Sequence, residues 1–324
     1  MIKEPLKFIP ILKEKIWGGE KLNKLLKKKS DKKNIGESWE ISDVENEMSI
    51  VANGKLKGQS IQDVIEQYKG ELVGEKVYQH FGNKFPLLIK FIDAKEALSI
   101  QLHPNDKLAK KRHNSFGKTE MWYVMQADKN ANLIVGFKEK VNSETYKKHL
   151  QEKTLLKILN SELVEKGDVF FIPTGRVHAI GAGVLLAEIQ QTSDVTYRIY
   201  DWDRKDDKGN YRELHTENAL EALDFEVKNS YKTNYKVKAN KESTIVKCPF
   251  FTTNIIIVDG EINVNHTNKD SFIIYMCVSG NVIFANNNFE LELNYGETIL
   301  IPNSLNHFEI KSNKKSELLE VFIE

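Results

Sequence analysis

Gln101 and His103 stand one residue apart in the segment SIQLHP (99–104). In a strand, residues i and i+2 point to the same face, so both side chains can reach one metal ion. Taken alone, such a pair reads as two strand residues with ordinary hydrogen bonds. Two further residues add to it. Glu120 opens the run EMWYV, and His178 closes GDVFFIPTGRVH. A carboxylate and a second imidazole are ligand types for the same class of divalent ion. Of the eight histidines, His103 and His178 stand out by context.

The elements that carry these residues show a repeat. GDVFFIPTGRVHAI (167–180) and GETILIPNSLNHFEI (296–310) share a Gly, an acid, an apolar strand, Ile-Pro, four residues and a His. Gly167 and Gly296, Pro173 and Pro302, and His178 and His307 are each 129 residues apart. The fixed spacing points to a duplicated β-unit. The pattern resembles the second sequence motif of the cupin superfamily, small β-jelly rolls with a metal at the barrel centre. The first cupin motif supplies His-x-His and then Glu. Here Gln101 replaces the first His, and residues 104–119 lengthen the spacer before Glu120. The resemblance implies a set of Gln101, His103, Glu120 and His178. That set suits one Zn²⁺ per chain, with Co²⁺, Mn²⁺ or Fe²⁺ able to substitute. The second half lacks such a set, and His307 stands alone, so its unit is expected to be metal-free.

The remaining pattern is mainly β. LLIKFI (87–92), WYVMQA (122–127), NLIVGF (132–137), DVFFIP (168–173), VLLAEIQQ (184–191), TNIIIV (253–258), FIIYMCV (272–278), NVIFA (281–285) and TILIP (298–302) are short and β-branched or aromatic. Gly, Pro, Asn or Asp bound them, as in a sandwich, barrel or jelly roll. Helices are expected near 60–75, with Ser60 as cap, near 143–160 and through 215–225. The expected fold is a bicupin: two β-jelly-roll units with a few short helices. Residues 1–225 form the N-terminal catalytic unit, the polar, Lys-rich stretch 226–247 a linker, and 248–324 the C-terminal unit.

Composition narrows the classes. Lys+Arg is 47 and Asp+Glu 46 in 324 residues, a balance that argues against nucleic acid as partner. No apolar run is long enough for a membrane helix. The N-terminal stretch is charged and lacks a signal-peptide core. Two cysteines, Cys248 and Cys277, exclude a disulfide scaffold. The expectation is a cytoplasmic globular protein, monomeric by default.

PLLIKFIDAKEALSIQLHPND (86–106) and GKTEMWYV (117–124) closely resemble the signature segments of type I mannose-6-phosphate isomerases. IWGG (16–19), IGESWEIS (35–42) and DVTYRIYDWDR (194–204) are also similar to that family. The likeness runs from about residue 5 to 310 and follows the short bacterial form, without the large helical insertion of longer members. All four tryptophans fall inside these segments. The resemblance implies zinc-dependent interconversion of mannose 6-phosphate and fructose 6-phosphate. It carries the zinc ligands onto Gln101, His103, Glu120 and His178. It carries the active-site Arg onto Arg198, an Asp onto Asp194 and a Lys onto Lys118. Lys90 and Ser99 match positions that line the substrate pocket.

The chemistry agrees. An aldose–ketose isomerisation moves a proton between C2 and C1 through a cis-enediol(ate). It needs a base, an electrophile for the developing oxyanion and an anchor for the phosphate. Lys90, Lys118 and Arg198 flank the metal motifs and suit a dianionic phosphosugar. Arg198 then stabilises the enediolate or, with Lys118 or Lys90, grips the phosphate. Asp194 assists ring opening, orients Arg198 or caps a turn. His103, Lys118, a metal-bound hydroxide or another carboxylate could be the base. Lys107, Lys110, Lys111 and Arg112 add charge to a loop over the site, or form a solvated surface run. The rival readings are an isomerase of another sugar phosphate such as glucose 6-phosphate, a non-catalytic sugar-phosphate sensor, and a metal-dependent oxygenase. Gln101 and the basic residues fit the oxygenase poorly.

Overall fold

The computed structural model describes residues 2–206 and 208–324. The N-terminal unit contributes eleven strands to two main sheets: β1 (Ile11–Gly19), β2 (Ile35–Ile41), β3 (Leu87–Ala94), β4 (Ile100–Leu102), β5 (Glu120–Ala127), β6 (Asn132–Phe137), β7 (Leu159–Leu163), β8 (Val169–Ile172), β9 (His178–Ile180), β10 (Val184–Gln191) and β11 (Tyr197–Tyr200). One antiparallel sheet has the order β1-β2-β3-β10-β5-β8, the other β11-β4-β9-β6-β7. The central strands β3 and β10 are buried along their whole length, which is why LLIKFIDA and VLLAEIQQ read as near-continuous apolar runs.

The C-terminal unit is one antiparallel sheet system. It contains β12 (Glu242–Lys247), β13 (Thr252–Asn265), β14 (Ile273–Ser279), β15 (Asn281–Asn286), β16 (Phe289–Asn294), β17 (Thr298–Ile301) and β18 (His307–Phe322). The order is β12-β13-β18-β14-β17, with β15 paired to β16 and β18. The mainly β fold expected for two cupin units is therefore the fold observed.

The repeat has a structural counterpart. Gly167 and Gly296 turn the chain with φ of 95° and 79°, a region that favours glycine, just before β8 and β17. His178 opens β9 and His307 opens β18. His178 is buried and His307 is exposed.

Helices form where caps and apolar spacing agree. In α1 (Ile61–Tyr68), Ser60 and Asp63 make a reciprocal capping box, and Ile61, Val64 and Ile65 are buried. It is followed by α2 (Glu75–Phe81). Residues 104–119, expected as a loop, hold α3 (Asp106–His113), so Lys107, Lys110, Lys111 and Arg112 lie on a helix. Arg112 there pairs with Glu221. The expected helix over 143–160 stops as α4 (Ser143–Gln151). Lys153 adopts φ of 56°, and Leu159 onward pairs with β6, so tertiary pairing overrides helical spacing. The third helix is α5 (Thr216–Ala222). One apolar core joins the units: Val64, Ile65 and Val77 pack in the same cluster as Phe272, Ile274 and Leu319. Within 226–247, Tyr231 is buried and donates to the Phe137 carbonyl at 2.9 Å. Among the described residues no helix is long and apolar enough to cross a membrane.

Candidate active site

Strand register assembles the site in two facing rows. Across β2, β3, β10 and β5, the partners Trp39, Lys90, Glu188 and Trp122 stand side by side. Across β11, β4 and β9, the partners are Arg198, Gln101 and His178. Between the rows lies a cavity of about 520 Å³, lined by both rows together with Glu37, Ser99, Lys118 and Asp194.

His103, Glu120 and His178 converge beside the cavity, which His178 lines, all buried, with ligand atoms within 4.8 Å of one another. His103 Nδ1 meets the Val195 carbonyl at 2.9 Å and His178 Nδ1 the Arg176 carbonyl at 2.8 Å. Each carbonyl requires N–H on Nδ1, which leaves Nε2 as a free lone pair. Both Nε2 atoms lie 3.5 Å from the Glu120 carboxylate. Burial pushes the His178 imidazole down to about 3, and His103 also falls well below its usual value, through burial and then Lys118 and His178. Both rings are neutral, the form a metal requires.

Glu120 tests whether the residues fit a cation. Neither of its buried oxygens has a hydrogen bond of proper geometry. Its nearest cation is Lys118 Nζ at 3.2 Å. Burial pushes this carboxyl up to about 7, against the pull of Lys118. With Lys118 beside it and neither oxygen hydrogen-bonded, this buried carboxylate remains costly and would gain from a divalent ion. Gln101 completes the set: its Nε2 lies 3.5 Å from His178 Nε2, and Ser99 Oγ donates to its Oε1 at 3.2 Å. A half-turn of the amide presents the oxygen to the cluster, with the hydroxyl then accepting from Nε2. The donor set suits a divalent ion.

The cavity cations differ in how they are compensated. Lys90 Nζ is 3.0 Å from Glu188 and 4.0 Å from Glu37. Burial alone would lower Lys90, but these carboxylates raise it. Burial would likewise raise Glu37, yet Lys90, Lys15 and the Trp39 indole hold it down at about 2. Lys13 pairs with Glu47, Lys15 with Glu37 and Arg212 with Asp201. Arg198 is the exception among the described residues of this wall. It has no carboxylate within ion-pair distance, its Nη1 donates to the Glu213 carbonyl at 2.9 Å, and its buried Nε is unpartnered. Asp194 lines the cavity, exposed, without a bond to Arg198.

Comparison with known proteins names this arrangement. Residues 6–134 match the family described as phosphomannose isomerase type I, catalytic domain, and residues 241–321 match mannose-6-phosphate isomerase, cupin domain. The mannose-6-phosphate isomerase ManA of Bacillus subtilis is 32% identical over 96% of this chain and 97% of its own length. This chain belongs to the type I phosphomannose isomerases. The mannose-6-phosphate isomerase of Streptococcus mutans is likewise 32% identical, over 94% of this chain and 95% of its own. The crystal structure of the Bacillus subtilis mannose 6-phosphate isomerase superimposes with a TM-score of 0.89 at 29% identity, covering 98% of this chain and 99% of that one. Like the rest of its family, the chain is an enzyme built on the cupin fold with a His/Glu metal-binding group.

Sequence reasoning missed Glu37, Trp39 and Glu188. Glu188 was detectable as the lone charge inside the apolar strand VLLAEIQQ. Trp122 and Trp39 were noted only as tryptophans within the signature segments. The second unit also holds a cluster, Glu242, His266 and Glu320. Lys269 Nζ lies 3.2 Å from Glu242 and 3.1 Å from Glu320.

Proposed function

We propose that the chain interconverts mannose 6-phosphate and fructose 6-phosphate through a cis-enediol(ate), with one Zn²⁺ held by Gln101, His103, Glu120 and His178. The observation that carries this is the buried Glu120 carboxylate, without a hydrogen bond and between two neutral imidazoles, beside a cavity whose one uncompensated cation among the described residues is Arg198. When bound, the ion supplies Lewis acidity toward the sugar oxygens.

The residues divide the remaining work. Arg198, without a carboxylate partner among the described residues, meets the dianionic substrate and stabilises charge on the phosphate or the enediolate. Lys118, beside His103 and Glu120, stands at the reacting end, where an ammonium can hold a developing oxyanion or move a proton. Lys90 is occupied by Glu188 and Glu37, so it shapes the wall and fixes those carboxylates. Ser99 orients Gln101. Asp194, exposed on the cavity wall, assists ring opening. The indoles of Trp39 and Trp122 donate to Glu37 and Glu188 at 2.6 and 2.8 Å and give the sugar a flat, dry wall. We take the enzyme to be a cytoplasmic monomer.

The test is turnover. Purified protein supplied with mannose 6-phosphate should generate fructose 6-phosphate, followed by coupling to a reporter enzyme. A folded, zinc-loaded protein that turns over another phosphosugar, or none, would overturn the assignment.

A further inference from the structure

Lys118 and Glu120 sit at the end of a short segment, Gly117–Thr119, that leaves α3 and enters β5. All three of its backbone N–H groups are held. Gly117 N–H donates to Asp106 Oδ1 at 2.7 Å, Lys118 N–H to the Pro104 carbonyl at 3.3 Å and Thr119 N–H to Gln191 Oε1 at 2.9 Å. The two side chains among these acceptors are tied to each other, since Gln191 Nε2 donates to the same Asp106 Oδ1 at 3.0 Å. Gln191 also donates its own N–H to the Thr119 carbonyl at 3.1 Å. Asp106 is the first residue of α3, and Gln191 is the last residue of β10, 85 positions later. Two rigid elements thus grip one loop from opposite sides.

The grip is tight. A Cβ added at Gly117 would come within 2.6 Å of the Asp106 backbone nitrogen and 2.8 Å of the Asn105 carbonyl carbon. Neither atom can step aside without moving the start of α3. Thr119 and Gln191 are buried, so their bonds are shielded from competing water. What the loop carries is the Lys118 ammonium, 3.2 Å from both His103 Nε2 and Glu120 Oε2. A displacement of about 1 Å in such a group is enough to cost on the order of 10²-fold in rate.

We infer that Asp106 and Gln191 form a latch that positions Lys118 over the metal ligands. They are positioning residues, and the role assigned to Lys118 rests on the isomerase reading above. Either half of the latch alone is insufficient, because the Asp106–Gln191 bond fixes the spacing between the two loop amides.

The latch can be broken from either side. In Gln191→Glu, two carboxylates face each other and the latch opens. Asp106→Ala removes the oxygen that accepts from both Gly117 N–H and Gln191 Nε2, whereas Asp106→Asn can keep an accepting oxygen there. The measurements are kcat, KM, bound metal and amide exchange of the 117–119 peptide. Gln191→Glu should lower kcat about 10- to 100-fold with little change in KM. It should keep one metal per chain and speed exchange at 117–119 alone; Asp106→Ala should do the same, and Asp106→Asn should hold kcat to within about threefold of wild type. Wild-type kcat and exchange in Gln191→Glu or Asp106→Ala would overturn the latch. So would losses that follow metal content or melting temperature, or an Asp106→Asn variant as impaired as Asp106→Ala. A wild-type chain with no turnover would fail the isomerase reading, and local exchange would still decide the latch.

Discussion

Lys90→Met is the sharpest probe of how the cavity wall is held together. In the native chain one buried ammonium stands between two buried carboxylates, Glu188 at 3.0 Å and Glu37 at 4.0 Å, and the three side chains are only 4–11% exposed. Methionine keeps the length of the stem and removes the charge. Deleting one partner of a buried pair strands the others, at a cost of about 3–5 kcal/mol. For a chain of this size that corresponds to a melting temperature lowered by roughly 4–7 °C. The pH dependence separates this from simple loss of packing. Glu37 is held at about 2 in the native protein against an ordinary 4.5, so its pairing stabilises the fold above pH 4.5 and is lost as pH falls toward 2. In the variant burial is less opposed and both carboxyls move up. Their destabilisation is then absent well below pH 4.5 and grows as pH rises. Both effects make the deficit largest at high pH. Unfolding of metal-free wild type and variant in urea should therefore show a gap at pH 8 that narrows by at least about 1 kcal/mol at pH 4. Adding Glu188→Gln should restore part of it. A gap below about 1 kcal/mol at pH 8, or one constant with pH, would refute the reasoning.

Two further substitutions follow from the same geometry. Arg198→Ala should lower turnover roughly 10³-fold with metal content and melting temperature unchanged, read by steady-state kinetics beside metal analysis; loss of metal or fold would make Arg198 structural. His307→Ala should leave kcat and KM unaltered, because the ring of this exposed residue meets Thr267 Oγ1 at 3.4 Å in the second unit, away from the cavity; a large fall in turnover with an intact fold would implicate that unit in catalysis.

The residues of the candidate metal cluster were legible in the sequence because they sit in short local motifs. Gln101 and His103 share a strand face, and the Gly-to-His spacing flagged His178. The strands were legible because their apolar runs are punctuated by Gly, Pro, Asn and Asp. Partners distant along the chain were hidden. Lys90 and Glu188 lie 98 positions apart, and nothing local says that β3 and β10 set them opposite each other. The Asp106–Gln191 bond was invisible for the same reason. Helix α3 was missed because it is Lys-rich and buries only Leu108 and Ala109. Its one local signal was Asn105, whose side chain caps it by accepting from Leu108 N–H at 3.0 Å. The overlong helix at 143–160 arose from the opposite error. Leu155 and Ile158 keep helical spacing, yet they are buried beside β7 and Val177, where side chains of a turn serve as well as those of a helix.

The central claim is that Glu120, His103, His178 and Gln101 hold the ion on which isomerisation depends. The most direct measurement removes metal with a chelator, titrates Zn²⁺ back, and follows bound metal and mannose 6-phosphate turnover together in wild type and in Glu120→Ala and His178→Ala. Wild type should lose turnover on chelation and regain it in proportion to zinc, saturating at one ion per chain, while both variants stay metal-poor and inactive. Stoichiometric zinc binding by both variants, or undiminished turnover by fully chelated wild type, would contradict the account.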